Sequence, residues 1–463
     1  MDNAVFSESL AYGQQKRRAV SARSFRVKIP SSNSTSFTAE QTIQVDLPGN
    51  LSGQYYNFNQ MYLKLKVIPS ANCSLDRAGA LGFIKRLQIS TAGAQICDIN
   101  NYNVLATAML DTDASCEYKA GYGNVLLGTL GDALKGVDLV AATPRVFCIP
   151  LVLNPLAMTQ PHRLIPAFAL SSLQVRLTLD SAASCVRVDA GAAPALAFSE
   201  VEMVCMMTEL SPQAQAMVDA STGGKYNILA SSFMNSGATR PASITALTAN
   251  LGFSVSSLER IIAIHRPVAS VDVSTCYSLG NRGTAGLSEL QYLVNSESYP
   301  ARPVVLSTYA AESLAETLIA DHALVDFKKS SAFNNGFVPV ALLGVGVSAL
   351  SGDAPDVVKA NCFAVNAPGG TTAGAHAAWN AAGSTGTASN IGTFVVATEF
   401  ESGLSDGKSA TIYSGISTIA SVVQWVGKYS SATAAAFQID FFAQFTALLS
   451  LDMRGSGVWS ISI

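Results

Sequence analysis

Alternation of apolar and polar positions dominates this chain. In "TIQVDL", residues 42–47, Ile43, Val45 and Leu47 alternate with Gln44 and Asp46. After a Pro-Gly-Asn break, Met61, Leu63, Leu65 and Val67 alternate with Tyr62, Lys64 and Lys66. A period of two marks a half-buried strand, because successive side chains point to opposite faces. The two segments therefore predict the first two strands of a sandwich. The row from Met61 to Val67 should face the core, and Lys64 and Lys66 should face away. The link "PGNLSGQYYNFN" predicts a turn, forced by Pro48 and Gly49 and packed down by Tyr55, Tyr56 and Phe58.

The same texture recurs along the chain. "LGFIKRLQIS" and "AQICDI" flank "TAGA" and predict a hairpin. "RVFCIPLVL", "LSSLQVRLTLD" and "FSEVEMVCMMTEL" predict further strands. "SSLERIIAIHRP", "LSELQYLV" and "FVPVALLGVGV" continue the series, and "FQIDFFAQFTALLSLD" and "VWSISI" close it. Helical spacing is confined to three places. "NYNVLATAMLD" fits a short helix capped by Asn101 or Asn103. "SPQAQAMVDAS" places Ser before a Pro that opens a helix. "SLAETLIADHALVDF", 313–327, is the third. A short echo between "IKRLQI" (84–89) and "LERIIAI" (258–264) fits two similarly built halves. Many strands, frequent turns and few helices predict sandwiches rather than an α/β fold.

The organisation that follows is an arm over 1–36, a first β domain over 37–210, a linker helix and turn over 211–224, and a second β domain over 225–463. Residues 366–392 carry no charge, are crowded with Gly, Ala, Thr and Ser, and lack periodicity. That predicts an exposed excursion.

Composition narrows the picture. Of the 463 residues, 49% are hydrophobic and only 13% charged, with a net charge of -3. There is ample material for a large core, and no general polyanion-binding surface. So low a charge density is expected where partner subunits cover much of the surface. The exception is "KRRAVSARSFRVK", 16–28, which holds Lys16, Arg17, Arg18, Arg23, Arg26 and Lys28 and no acid. It reads either as a solvated tail or as an arm touching a polyanion or a neighbouring subunit. The opening residues lack the apolar core of a secretory signal, and no apolar run is long enough to span a bilayer as a helix. The eight cysteines form no C-x-x-C pair, which argues for free buried thiols in a reducing compartment and against a zinc knuckle.

No motif supports an enzyme. "GLSDGKS", 403–409, has only three residues between Gly403 and Gly407, one short of a phosphate loop. "VALLGVGVSA" is followed by "LSGDAPDVV", which breaks the helix a dinucleotide site needs. His162, His265, His322 and His376 show no metal-ligand spacing and read as structural. "DTDASCE", with Asp111, Asp113 and Glu117, lacks the calcium-loop pattern and reads as a solvated helix end. Glu399 and Glu401 in "TEFES" are a carboxylate pair of the kind a β-sandwich hydrolase uses, but edge-strand solubility also accounts for them. No cofactor is implied.

The order of elements is the strongest signal: basic arm, "DLPGNLSGQYYNFNQMYLKLKV", hairpin, "CDINNYNVLATAMLD", first sandwich, linker helix, second sandwich and "DFFAQFTALLSLDMRGSGVWSISI". This order resembles the double jelly-roll major capsid proteins of the adenovirus hexon, virophage, polinton-like virus and tailless lipid-containing phage lineage. Residues 37–111 carry the resemblance best, and 437–463 next. The resemblance implies an all-β chain of two tandem eight-stranded jelly-roll sandwiches with a few short helices. It implies homotrimers that form pseudo-hexagonal tiles of an icosahedral shell, neighbouring capsomers and penton or minor capsid proteins as partners, and a place in the virion after assembly inside the host cell. The excursion at 366–392 would be a tower loop, with its first-half counterpart around 112–143. The basic arm would lie beneath the shell, against the genome or an internal membrane. Two other readings fit the sequence: a single jelly-roll capsid protein with a projecting domain, and a two-sandwich lectin or adhesin.

Overall fold

The computed structural model describes residues 22–306, 311–324 and 391–462, apart from short breaks at 92–93, 131–134, 161–162, 171, 189–190, 276, 284–285, 323, 393, 402–414, 430–435 and 453–458. The first half of the chain contributes eight principal strands. These are β1 (Ala22–Pro30), β2 (Thr42–Leu47), β3 (Gln54–Pro69), β4 (Ile84–Thr91), β5 (Gln95–Asn100), β6 (Arg145–Pro150), β7 (Leu173–Leu179) and β8 (Leu196–Leu210). One antiparallel sheet runs β1-β8-β3-β6 and the facing one β2-β7-β4-β5. The second half contributes β9 (Lys225–Arg240), β10 (Ala246–Leu251), β11 (Leu258–Pro267), β12 (Leu287–Val294), β13 (Glu297–Val305), β14 (Val396–Glu399), β15 (Val423–Tyr429) and β16 (Phe437–Asp452). Its sheets run β9-β16-β11-β14 and β10-β15-β12-β13. In both halves the strands therefore order as first-eighth-third-sixth and second-seventh-fourth-fifth, which is the double Greek key of a jelly roll.

The opening alternation is realised. Met61, Leu63, Leu65 and Val67 are buried. Each such side chain removed from water contributes about 1.5–3 kcal/mol. Lys64 and Lys66 lie on the other face and pair with Glu202 (3.4 Å) and Glu200 (2.7 Å) on neighbouring β8.

The position of the opening segments in the strand order differs from the expectation. "TIQVDL" and "MYLKLKV" lie in the second and third strands, in opposite sheets. The first strand is β1, which lies before residue 37 and pairs along nine residues with β8. Phe25, Val27 and Ile29 pack on the core, and Ser24, Arg26 and Lys28 face out. The turn is also shorter than expected. Strand β3 begins at Gln54, so Tyr55, Tyr56 and Phe58 are strand residues. Tyr56 ties the strand to the turn by donating its hydroxyl to the Pro48 carbonyl at 2.7 Å. The echo at 84–89 and 258–264 joins non-equivalent strands, the fourth of one sandwich (β4) and the third of the other (β11).

Helices occupy the connections. α1 (Tyr102–Asp113), α2 (Cys116–Ala120) and α3 (Tyr122–Leu126) fill the passage between β5 and β6. Between the sandwiches runs α4 (Pro212–Thr222). Ser211 caps it by accepting from the Ala214 N–H at 3.3 Å, Pro212 opens it, and Gly223 ends it at φ 63°, a left-handed conformation that costs glycine little. α5 (Ala311–Ala320) follows β13, so the expected helix over 313–327 begins two residues earlier; residues 325–390 lie outside the described residues. "FVPVALLGVGV", "GLSDGKS" and most of 366–392 also lie outside them.

Candidate functional site: the junction and the assembly faces

The two sandwiches meet through the connections that follow their third strands. Residues 73–83 of the first half lie against residues 277–283 of the second, with α1 alongside. Asp76 is buried and its carboxylate accepts from three backbone N–H groups: Arg77 (2.6 Å), Leu279 (2.8 Å) and Gly280 (3.3 Å). Gly280 is required by proximity, since a Cβ there would stand 2.9 Å from Asp76 Oδ1 and 3.0 Å from Arg77 Cδ. Burial pushes the Asp76 carboxyl up to about 6, against the opposing pull of those hydrogen bonds and of the Arg77 charge.

Asp111 is the ionic centre of the junction. Its Oδ1 accepts from Arg77 (Nη2, 2.7 Å) and Lys119 (Nζ, 3.0 Å), and its Oδ2 pairs with Arg282 of the second half. All four side chains are buried. Burial alone would raise the Asp111 carboxyl, but Arg77, Lys119 and Arg282 outweigh it and hold the group well below the usual carboxylate range. Asp111 is thus not the solvated helix end expected of "DTDASCE".

A second polar bridge lies nearby. Asn101, left-handed at φ 50°, does not cap α1 with its side chain. Its amide donates to Asp440 Oδ1 at 3.0 Å, while Arg266 pairs with Oδ2 of the same residue at 2.8 Å. The first half also lends a two-residue strand, Thr159–Gln160, to the outer edge of β9. Buried charge, backbone hydrogen bonds and strand exchange together make the two sandwiches one body.

The remaining predicted site residues are dispersed. Arg23 pairs with Glu209 at 2.6 Å and Lys28 lies 3.9 Å from Glu202. With Arg26 they belong to strand β1 rather than to a free arm; Lys16, Arg17 and Arg18 lie outside the described residues. His265 is buried between Phe394 and Trp425. Burial, with the Arg240 charge, lowers its imidazole to about 3, which makes it a neutral core residue. His162 and His376 lie outside the described residues, and Glu399, Glu401 and His322 come together at the edge of the second sandwich. Cys73, Cys97, Cys148, Cys185 and Cys205 are free thiols. Burial raises Cys97 and Cys205 to about 12, so neither offers a reactive thiolate.

Apolar surface collects on the passage between β5 and β6. An open groove of about 490 Å³ is lined by Leu81, Met109, Leu110, Tyr118, Val152 and Leu153. Beside it in the chain Tyr122 and Val125 are 76% and 73% exposed. Surfaces of this kind mark contacts with other proteins. Among the described residues no helix is long and apolar enough to cross a membrane.

No protein-family model and no curated protein matches the sequence. Solved structures do match. VP54 of PBCV-1, in a crystal structure fitted into a reconstruction of the virophage Sputnik, is 10% identical, with a TM-score of 0.59 over 96% of this chain and 98% of that one. The Faustovirus major capsid protein is 8% identical, with a TM-score of 0.58 over 95% and 92%. The chain has the double jelly-roll fold. Similarity over almost the whole of both chains at so low an identity is a similarity of fold. The double jelly roll also disposes of the projecting-domain alternative, because the second half repeats the strand order of the first.

Proposed function

We propose that this chain is a structural viral major capsid protein whose homotrimers form the pseudo-hexagonal tiles of an icosahedral shell. The observation that carries the reading is the repetition of one strand order in two sandwiches locked by the Asp76 and Asp111 junction. A trimer of such a body presents six similar sandwiches, so threefold symmetry yields a nearly sixfold outline. The likeness to PBCV-1 and Faustovirus capsid proteins supports this. The apolar groove with Tyr122 and Val125 supplies surface for burial between subunits, and neighbouring trimers, with penton or minor capsid proteins at special positions, complete the shell. The protein acts by assembly, not by catalysis, and resides in the virion after assembly in the host cell.

The division of labour within the chain follows the same reading. The rolls are 37–210 extended by β1, and 225–463, with 211–224 between them and 366–392 as a tower loop. With Arg23, Arg26 and Lys28 taken up in β1, Lys16, Arg17 and Arg18 remain as the arm that meets the genome or an internal membrane, through contacts that weaken with salt. Trp425 is fully buried in the core, so it offers no stacking platform for sugars of the kind a lectin uses. Negative-stain images of the purified protein test the proposal: threefold particles with a hexagonal base are expected. A protein that stays monomeric at high concentration overturns it.

A further inference from the structure

We propose that His322, Glu399 and Glu401 form a binding site for a divalent transition-metal ion of the zinc type. One ring nitrogen and one oxygen from each carboxylate lie within 4.8 Å of one another, and His322 Nε2 stands 3.8 Å from Glu401 Oε2. The three residues arrive from two separate parts of the chain. His322 lies just beyond α5, where its N–H donates to the Ile319 carbonyl at 2.9 Å. Glu399 ends β14. Phe400 then turns inward, its ring 5.5 Å from those of Tyr292 and Tyr299, and that turn returns Glu401 to the side of Glu399. The helix is already docked on the strand, since the Ala397 N–H donates to Thr317 Oγ1 at 3.1 Å. A metal ion adds a second pin between the same two elements.

The surroundings favour a cation. A cleft of about 70 Å³ opens among these residues, bordered also by Glu259, Asp321 and Arg260. Four carboxylates thus meet one guanidinium. Arg260 donates to Asp321 (2.7 Å), the Ala320 carbonyl (3.0 Å) and Gln444 (2.7 Å). Glu259 is buried and accepts from Thr446 and from Gln444 (2.6 Å). Glu399 and Glu401 bring two carboxylates within 4.8 Å of each other, where like charges repel. An ion in the cleft relieves that repulsion. The imidazole distinguishes the cluster from an acidic patch. Calcium and magnesium prefer oxygen ligands alone, whereas one imidazole with two carboxylates suits zinc and its neighbours, with a position left for water.

The test uses the full chain after dialysis against a chelator, titrated with Zn²⁺ by calorimetry and with Co²⁺ by visible absorption. One equivalent is expected to bind. The Co²⁺ spectrum should show ligand-field bands without the thiolate charge transfer that cysteine ligation produces. His322→Ala and Glu401→Gln should each weaken binding at least tenfold. His322 is largely exposed, so the metal-free His322→Ala protein should melt like the wild type. Zinc should raise the melting temperature of the wild type and not that of the variant. Equal affinity in wild type and His322→Ala, a thiolate signature, or the absence of both binding heat and a melting shift would each overturn the proposal. None of these readouts depends on shell assembly.

Discussion

The two sandwiches share their strand order and differ in nearly everything attached to it. In the first, the passage between the fifth and sixth strands folds into α1, α2 and α3 and returns Asp111 and Lys119 to the junction. In the second, the same passage begins with α5, which stays at the rim and packs on the edge strand β14. The outer edges differ as well. β9 runs for sixteen residues beside β16 and has Thr159–Gln160 on its other side. β1 runs for nine residues beside β8 and carries Arg26 and Lys28 outward, a charged edge of the kind that discourages unwanted pairing. The lesson is that eight strands in this order tolerate very different connections, and that the connections decide what each half does. Connections from both halves meet at the junction, whereas α5 holds the rim of the second sandwich.

Variants at the junction break this comparison most sharply. Replacing Asp111 by Ala removes the buried carboxylate that Arg77, Lys119 and Arg282 share, at a cost of about 3–5 kcal/mol. Denaturant unfolding followed by tryptophan fluorescence and by circular dichroism should show both halves weakened together. A change confined to one half would mean that the junction does not couple them.

Asp76 produces a smaller effect with a distinct pH signature. Its folded-state value of about 6 lies above the ordinary 3.8, so folding takes up a proton. The stability it contributes is present in full below about 3.8 and is lost as pH rises through about 6, an amount on the order of 3 kcal/mol. Asp76→Asn should flatten the stability curve across that window. Asp111 acts with the opposite sign, its contribution being present above 3.8 and lost in acid. Stability measured against pH in the two single variants separates them.

Gly280→Ala forces a methyl group against Asp76 and Arg77 and should cost about 1–3 kcal/mol in chemical denaturation. Ser211→Ala removes the cap of the exposed α4 and should cost about 1 kcal/mol, with both cores intact. A loss as large as that at Asp111 would mean that α4 belongs to the junction.

Much of the fold was legible because many of the principal strands bury one face and expose the other. Period-two rows such as Ile43, Val45 and Leu47 state this directly. β1 was harder to read, because Arg23, Arg26 and Lys28 dominate a segment whose inward row, Phe25, Val27 and Ile29, is only half-buried at a sheet edge. The apolar run at Tyr55 and Tyr56 read as turn packing because both neighbours are buried, which breaks the alternation. Phe168 covers the outer side, its ring 5.4 Å from that of Tyr55. The junction was illegible for a different reason. Asp111, Arg77 and Arg282 are far apart in the sequence, and nothing local to "DTDASCE" announces the cations that the closed fold delivers. The His322 site is legible in part, as the Glu399 and Glu401 pair, but its imidazole arrives from the turn after a helix far upstream.

The strand order also constrains the time course of folding. In each sandwich the eighth strand sits between the first and the third: β8 between β1 and β3, and β16 between β9 and β11. During synthesis, the centre of each main sheet is therefore the last part to leave the ribosome. Until it does, β1 and β3, and later β9 and β11, wait with unpaired edges facing a vacant seat. Chains emerging side by side on one messenger hold the same strand in readiness for one another's vacancy. The interval between the third strand and the eighth is the period in which this chain is most exposed to pairing with the wrong copy, and a chaperone that shields edges would matter most then.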